Sequence, residues 1–152
     1  MKLENKDQYT FMEFKAIIFD LDGTLLDTLE DIAISANNVL QRNDYPTYEV
    51  NDYRNLIGGG VRNLITQVLP EDRRTDKMIT EFADNFRDEY GKNWNLNTKP
   101  YDGIPELLDE LKARHFKLAI HSNKPDAFTQ KYARELLSGW SFEMVLGQRS
   151  DI

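Results

Sequence analysis

Two aspartates, Asp20 and Asp22, are the first residues whose types and spacing indicate chemistry. They follow the apolar run Ala16–Phe19, which is typical of a parallel strand buried on both faces. One residue separates them, so both side chains leave an extended backbone on the same side, and Gly23 then allows a sharp turn. Because open parallel sheets bind ligands outside the carboxyl ends of their strands, chemistry is expected at this strand end.

Paired carboxylates in such a place suit Mg²⁺, which prefers oxygen ligands and keeps several waters. With a cation screening their repulsion, one carboxylate can attack a phosphoryl group while the other moves protons. An ordinary turn after a strand is the alternative interpretation of residues 20–23, since Asp and Gly are common in turns. The four residues alone leave both interpretations open.

The longer stretch FDLDGTLLDT, residues 19–28, closely resembles the first motif of the haloacid dehalogenase-like superfamily, specifically its phosphatases. The resemblance implies that Asp20 is the nucleophile that becomes an aspartyl-phosphate, and that Asp22 is the general acid and base. It also implies that the Asp20 carboxylate and the Asp22 backbone carbonyl bind Mg²⁺, and that Thr24 positions Asp22.

A second polar cluster, Ser122, Asn123 and Lys124, follows the apolar stretch 116–120. A hydroxyl, an amide and the N–H groups of a following helix together suit a phosphate, although an ordinary capping loop also explains these residues. The segment AIHSNKPDAF resembles the superfamily's second motif, which implies that Ser122 holds a phosphoryl oxygen with Asn123 beside it. Lys124 is then expected near the site, and a solvated loop lysine is its alternative interpretation.

Four amphipathic helices are predicted between the two motifs, because apolar residues recur there at three- and four-residue steps. The first is expected to begin after an N-cap at Thr28 and to end near Gln41. The last carries the stripe Phe82, Phe86 and Tyr90, which we interpret as core packing. This helical insertion resembles the family's cap, which closes over the active site and reads the substrate.

The glycines at 58–60 stand at about the position where relatives carry a glycine-rich substrate-specificity loop. Glycines at a helix start can expose backbone N–H groups to an anion, although a flexible hinge is the alternative. We therefore predict substrate contacts from Gly59 and from Arg62, the latter to a carboxylate or a second phosphate.

Alternating helix and strand patterns from residue 100 onward predict right-handed crossovers and a parallel sheet with helices on both faces. The predicted fold is α/β, a Rossmann-like core of three strands, with further strands missing, and an inserted α-helical cap bundle. The predicted core comprises residues 1–27 and 100–152, and the cap comprises residues 28–99. Residues 121–124 are predicted to form the loop between the second strand and the next helix, because the residue before a proline avoids the helical conformation. His121, at the end of the strand's apolar run, is predicted to be a buried, hydrogen-bonded structural residue.

Two further motifs implied by the resemblance have no counterpart here: a lysine after the third strand, and an acidic pair after a fourth that completes the Mg²⁺ site. We therefore expect a phosphatase truncated at its C-terminus. In the family's usual strand order, the missing fourth strand would cover the first one. The first strand is then an exposed edge, which favours dimerisation or strand pairing with another chain.

Composition excludes several classes of function. The 19 basic and 26 acidic residues give a net charge of −7, which argues against a nucleic-acid or anionic-membrane surface. The absence of cysteine excludes disulfides, thiolate nucleophiles and cysteine-bound zinc. No apolar run approaches the length of a membrane span, so a cytoplasmic protein is expected.

These observations predict a Mg²⁺-dependent phosphatase that hydrolyses a small phosphomonoester such as phosphoglycolate. A sugar phosphomutase of the same superfamily is one alternative, since cap residues separate the two reactions. A truncated, non-catalytic binding or oligomerising module is the other. A dehalogenase is disfavoured because that reaction needs no second acid and base, whereas Asp22 is present.

Overall fold

The computed structural model describes residues 14–149; the outermost parts of the predicted core, residues 1–13 and 150–152, lie outside it. The strands are β1 Ala16–Phe19, β2 Leu26–Asp27, β3 Lys99–Pro100, β4 Lys117–Pro125 and β5 Met144–Gln148. The α-helices are α1 Leu29–Arg42, α2 Gly60–Val68, α3 Asp76–Asn93, α4 Ile104–Ala113 and α5 Asp126–Glu135. Two 3₁₀ helices span Val50–Asn55 and Glu71–Arg73. In the described part of the chain, no helix is long and apolar enough to cross a membrane.

A three-stranded parallel sheet, in the order β1-β4-β5, forms the core of the α/β fold. Its register places Phe19 beside Ile120 and Ile120 beside Val145. Within residues 14–149, the predicted parallel sheet and the edge position of the first strand are therefore confirmed. The predicted loop after residue 120 is wrong, because β4 continues and pairs again with β5 at Pro125 and Gln148.

The two faces of this sheet differ in exposure. Ile120 is buried on one face, and α5 packs against both β4 and β5. On the other face Ile18 and Met144, which flank Ala119 in register, are 71% and 54% exposed. The expectation of a sheet covered on both faces is therefore wrong for residues 14–149. His121 is also exposed, because strand alternation turns it away from the face that holds Ile120.

The helical insertion, residues 29–93, packs α1 and α2 against α3. Of the four predicted helices, the first, third and fourth are confirmed as α1, α2 and α3. The second is the 3₁₀ helix Val50–Asn55, a form that short connecting helices commonly take. It still buries the predicted apolar residue Tyr53, whose hydroxyl donates to Asn37 at 2.8 Å.

The two connections between the core and the helical insertion are tied to each other. β2 pairs antiparallel with β3, a two-residue ladder too short to show in the sequence pattern. Next to it, the fully buried Asp31 of α1 accepts hydrogen bonds from the backbone and side chains of Asn97 and Thr98, at 2.7 to 3.1 Å. The start of α1 is therefore fastened to the segment that returns to the core.

A glycine inside α3 offers a test of the helix. Gly91 has no atom within 4 Å of the position that a Cβ would occupy. We expect Gly91→Ala to raise the free energy of unfolding in urea by about 0.5–1 kcal/mol, because alanine loses less backbone entropy in a helix. Gly103→Ala is the matched control: that site is equally open but its φ is +84°. Because alanine is strained in the left-handed conformation, Gly103→Ala should lower the free energy of unfolding by about 1 kcal/mol. Shifts of the same sign in the two variants would contradict the helical conformation of Gly91 or the left-handed one of Gly103.

Candidate active site

Asp20 and Asp22 lie where β1 ends, in a tight turn built on buried leucines. Leu21 and Leu25 are fully buried, and the Leu21 carbonyl accepts the N–H groups of Leu25 and Leu26 at 3.0 Å each. The Leu21 N–H in turn donates to Asp20 Oδ1 at 2.7 Å. The packed turn fixes the backbone under both aspartates, while the Asp20 side chain stays exposed.

The end of β4 brings a second set of polar side chains to the same place, since β4 lies beside β1 in parallel register. Ser122 and Lys124 are both buried there. The Lys124 Nζ lies 3.0 and 3.2 Å from the two carboxylate oxygens of Asp22. The interpretation of Lys124 as a solvated loop residue is therefore wrong. β4 continues past residue 120, and its alternation turns residues 120, 122 and 124 inward.

Aromatic side chains complete the surroundings of Lys124. Its Nζ donates to Tyr90 Oη at 2.8 Å and lies 4.5 and 5.0 Å from the ring centroids of Tyr90 and Tyr132. Burial lowers the pKa of the Lys124 ammonium, and the Asp22 carboxylate opposes that shift. Burial also raises the pKa of the Tyr90 hydroxyl well above its usual value, so this hydroxyl is a neutral donor and acceptor at physiological pH.

Thr28, directly before α1, is a second partner of Asp22. Its buried Oγ1 donates to Asp22 Oδ1 at 2.8 Å, and its side chain makes no capping bond to α1. The predicted capping by the Thr28 side chain is therefore wrong. The role predicted for Thr24 is wrong too: Thr24 is exposed, and the hydroxyl that holds Asp22 comes from Thr28.

A cavity of about 50 Å³ lies between these strand ends and the helical insertion. Its walls are mostly apolar, with the polar groups gathered at the sheet end. The lining residues are Asp20, Asp22, Ile32, Ile57, Gly58, Gly60, Val61, Leu64, Phe86, Tyr90, Ser122, Asn123, Lys124, Pro125 and Phe128.

The glycine segment of the insertion rests directly on the sheet end. The Asn123 Nδ2 donates to the Gly58 carbonyl at 2.7 Å. A Cβ at Gly60 would lie 2.9 Å from Gln148 Oε1 and 3.4 Å from the Asn123 carbonyl oxygen. The insertion is therefore in contact with both β4 and β5 beside the cavity.

Two of the predicted substrate contacts are not brought to the cavity. Gly59 does not line it, although its neighbours Gly58 and Gly60 do. The Arg62 guanidinium binds Asp76 Oδ1 at 2.6 Å, and its side chain is 56% exposed. Val61 lines the cavity, and successive helix residues are turned by about 100° around the helix axis. Arg62 therefore points away from the cavity, toward α3. The structure gives no support to the substrate contacts predicted for Gly59 and Arg62.

The described residues supply some, but not all, of the oxygen ligands that a cation needs. Leu21 N–H is the one hydrogen-bond donor to the Asp20 carboxylate within residues 14–149, so lone pairs of Asp20 stay open. The Asp20 carboxylate and the Asp22 backbone carbonyl are hard oxygen donors of the kind that Mg²⁺ takes together with water. The same part of the chain has no group of three or more His, Cys, Asp or Glu side chains that could hold a metal. The described residues thus fit one side of a Mg²⁺ shell.

Sequence reasoning missed the hydrogen bond of Thr28 to Asp22, and it also missed Tyr90 as a residue of the site. Tyr90 ends a stripe with Phe82 and Phe86, and that spacing is typical of packing residues. The usable signal was its hydroxyl, because a tyrosine buried at the end of an apolar stripe needs a hydrogen-bond partner. Nothing in the local sequence indicated that this partner would be Lys124.

Comparison with known proteins agrees with this geometry. Residues 17–150 match the family model described as haloacid dehalogenase-like hydrolase. The phosphoglycolate phosphatase of Aquifex aeolicus is 40% identical over 134 residues, which cover 88% of this chain and 60% of that protein. The phosphoglycolate phosphatase of Colwellia psychrerythraea is 32% identical, covering 97% of this chain and 64% of that protein.

A solved structure from Lactobacillus delbrueckii subsp. bulgaricus, a predicted phosphoglycolate phosphatase, superimposes with a TM-score of 0.84. It is 30% identical in sequence, and the match covers 93% of this chain and 67% of that chain. The chain thus spans 60% and 64% of the length of these two curated relatives. With a family match that includes both strand-end motifs, the chain belongs to the haloacid dehalogenase-like hydrolases.

Proposed function

We propose that this protein is a Mg²⁺-dependent phosphatase that hydrolyses a small phosphomonoester through an aspartyl-phosphate on Asp20. One observation carries the proposal: two carboxylates, a buried serine and a buried lysine meet at one cavity at the carboxyl end of a parallel sheet. The names of the relatives supply the substrate class, which is phosphoglycolate or a similarly small ester.

In the first step, an Asp20 carboxylate oxygen attacks phosphorus and the bond from phosphorus to the ester oxygen breaks. Asp22, in its protonated form, gives its proton to the leaving alkoxide, which departs as an alcohol. Asp20 then carries the phosphoryl group as a mixed anhydride.

In the second step, the Asp22 carboxylate takes a proton from a water molecule. The water oxygen attacks phosphorus, the bond to the Asp20 carboxylate breaks, and orthophosphate leaves. Both aspartates are then in their starting forms, so one water is consumed for each ester cleaved.

The phosphoryl oxygens are proposed to bind at the end of β4. Ser122 Oγ accepts the Lys124 N–H at 3.3 Å, which leaves the serine hydroxyl hydrogen free to donate to an anion. Asn123 contributes the backbone next to Ser122, and its side chain holds the glycine segment of the insertion in place. The Lys124 ammonium adds positive charge to the same wall. The Asp20 carboxylate and the Asp22 carbonyl would hold Mg²⁺, which neutralises phosphoryl charge when bound.

The small cavity supports a small leaving group, and the contact of residues 58–60 with the sheet end supports a cap that covers the substrate. We therefore keep the division into a core, residues 1–27 and 100–152, and a cap, residues 28–99. A cytoplasmic location and pairing along the β1 edge stay predictions.

Phosphate release decides the proposal. With 2-phosphoglycolate and Mg²⁺, we expect the complete protein to release orthophosphate, and we expect EDTA to stop the release until Mg²⁺ is restored. Glucose 6-phosphate serves as the comparison, and its bulkier alcohol should give a lower kcat/KM because the cavity is small. Absence of release from every monoester would contradict the hydrolase function, and release unchanged by EDTA would contradict the role of Mg²⁺.

A further inference from the structure

The Lys124 ammonium makes its hydrogen bonds to groups of the protein itself. An ammonium has three N–H donors and no acceptor. The three oxygens around Lys124 Nζ are the two carboxylate oxygens of Asp22, at 3.0 and 3.2 Å, and Tyr90 Oη, at 2.8 Å. The Lys124 side chain is 4% exposed, so water does not compete for these donors. In this arrangement, the Lys124 ammonium is held between Asp22 and Tyr90 and acts directly on the Asp22 carboxylate.

The tyrosines behind Lys124 form a chain of hydrogen bonds with one direction. Tyr132 donates its only hydroxyl hydrogen to the Trp94 carbonyl. The 2.5 Å contact between the Tyr90 and Tyr132 hydroxyls must therefore be donated by Tyr90. Tyr90 Oη is then the acceptor for Lys124. The order is Lys124 to Tyr90 to Tyr132 to Trp94, and each hydroxyl both accepts and donates.

This chain of hydrogen bonds connects the helical insertion to the aspartate turn. Tyr90 belongs to α3, and Trp94 is the first residue after that helix. Tyr132 belongs to α5 in the core. Lys124 lies on β4, 102 positions from Asp22 in the chain. A shift of α3 relative to β4 would remove one acceptor from Lys124 and change how Lys124 holds Asp22.

We propose that Lys124 and Tyr90 are positioning residues that orient the Asp22 carboxylate, so that the placement of α3 is transmitted to the proton-transferring group. The proposal rests on the proposed function only in giving Asp22 the role of general acid. Thr28 also donates to Asp22 Oδ1, so two segments of the chain hold the carboxylate at once.

The test replaces Tyr90 by Phe, which keeps the ring and removes the oxygen that accepts from Lys124. The matched control is Tyr53→Phe, which removes another hydroxyl with a hydrogen bond, 2.8 Å to Asn37, from a buried tyrosine that makes no hydrogen bond to Lys124. Both variants are assayed with 2-phosphoglycolate, whose alkoxide needs a proton to leave, and with p-nitrophenyl phosphate, whose phenolate does not.

For Tyr90→Phe we expect kcat/KM on 2-phosphoglycolate to fall by roughly tenfold or more, since kcat/KM reports the steps up to departure of the leaving group, where a misplaced general acid acts. Its kcat/KM on p-nitrophenyl phosphate should fall much less, and Tyr53→Phe should leave the ratio of the two kcat/KM values unchanged. Equal losses on both esters, or the same ratio change in Tyr53→Phe, would overturn the proposal. If Tyr90→Phe does not fold, Tyr132→Phe decides in the same way, because it removes the acceptor that orients Tyr90.

A measurement without turnover separates this proposal from the proposed function. Urea unfolding midpoints of the unmodified chain, Tyr90→Phe, Asp22→Asn and the double variant form a cycle. We expect the two shifts to be non-additive, because both changes act on Lys124. Additive shifts would overturn the coupling even in an active enzyme. If the chain cleaves neither ester, the hydrolase proposal fails for this chain, and the cycle still decides whether Lys124 couples Asp22 to Tyr90.

Discussion

Asp20→Asn is expected to lower phosphomonoester hydrolysis by roughly 10³-fold or more, the largest effect of any single change proposed for this chain. Asparagine keeps the shape of the side chain and the acceptor for the Leu21 N–H, so the turn should remain intact. Its neutral amide cannot form the aspartyl-phosphate, and it is a poorer ligand for Mg²⁺ than a carboxylate.

Orthophosphate release from 2-phosphoglycolate measures this effect, and mass spectrometry after acid quenching should find the phosphorylated peptide only with Asp20 intact. Asp44→Asn is the matched control, because Asp44 is exposed on the insertion and its φ of 57° suits asparagine equally well. Undiminished turnover by Asp20→Asn would remove Asp20 as the nucleophile.

Asp31→Asn is expected to give the largest loss of stability, about 2–4 kcal/mol in the free energy of unfolding. Four donors converge on the buried Asp31 carboxylate: the backbone N–H and side-chain amide of Asn97, and the backbone N–H and hydroxyl of Thr98. An asparagine would offer one oxygen and point its own NH₂ at donors, so at least one buried group would lose its partner.

Urea denaturation of Asp31→Asn beside Glu30→Gln measures this cost. Glu30 is the neighbouring residue on α1 and is exposed, so its amide variant should change the free energy of unfolding by less than about 0.5 kcal/mol. Similar values for the two variants would mean that the Asp31 hydrogen bonds contribute little to holding α1 on the returning segment.

Much of the fold follows from local pattern. The short, continuous apolar run before Asp20 is typical of a buried strand, and the four-residue steps between Phe82, Phe86 and Tyr90 follow the 3.6-residue period of a helix. Both patterns are properties of a single element. They therefore predicted β1 and α3 correctly. The rule that parallel strands end on the same edge also brought Asp20, Asp22 and Ser122 together before any contact was known.

The errors in the elements have a common cause. β2 and β3 are too short to show a period, and the exposure of Ile18 and His121 depends on which face of the sheet receives helices. Such features depend on how helices and strands pack against one another, and the sequence around each residue does not determine that packing.

The sequence by itself therefore determined the elements, the family resemblance and the position of the two aspartates and the serine at neighbouring strand ends. Only the tertiary structure decided which polar groups meet: Lys124 turns inward to Asp22, Tyr90 reaches it from the insertion, and Arg62 turns away to Asp76. The physical reason is that a strand or helix fixes where a side chain starts, whereas its hydrogen-bond partner is set by the packing of segments far apart in the chain.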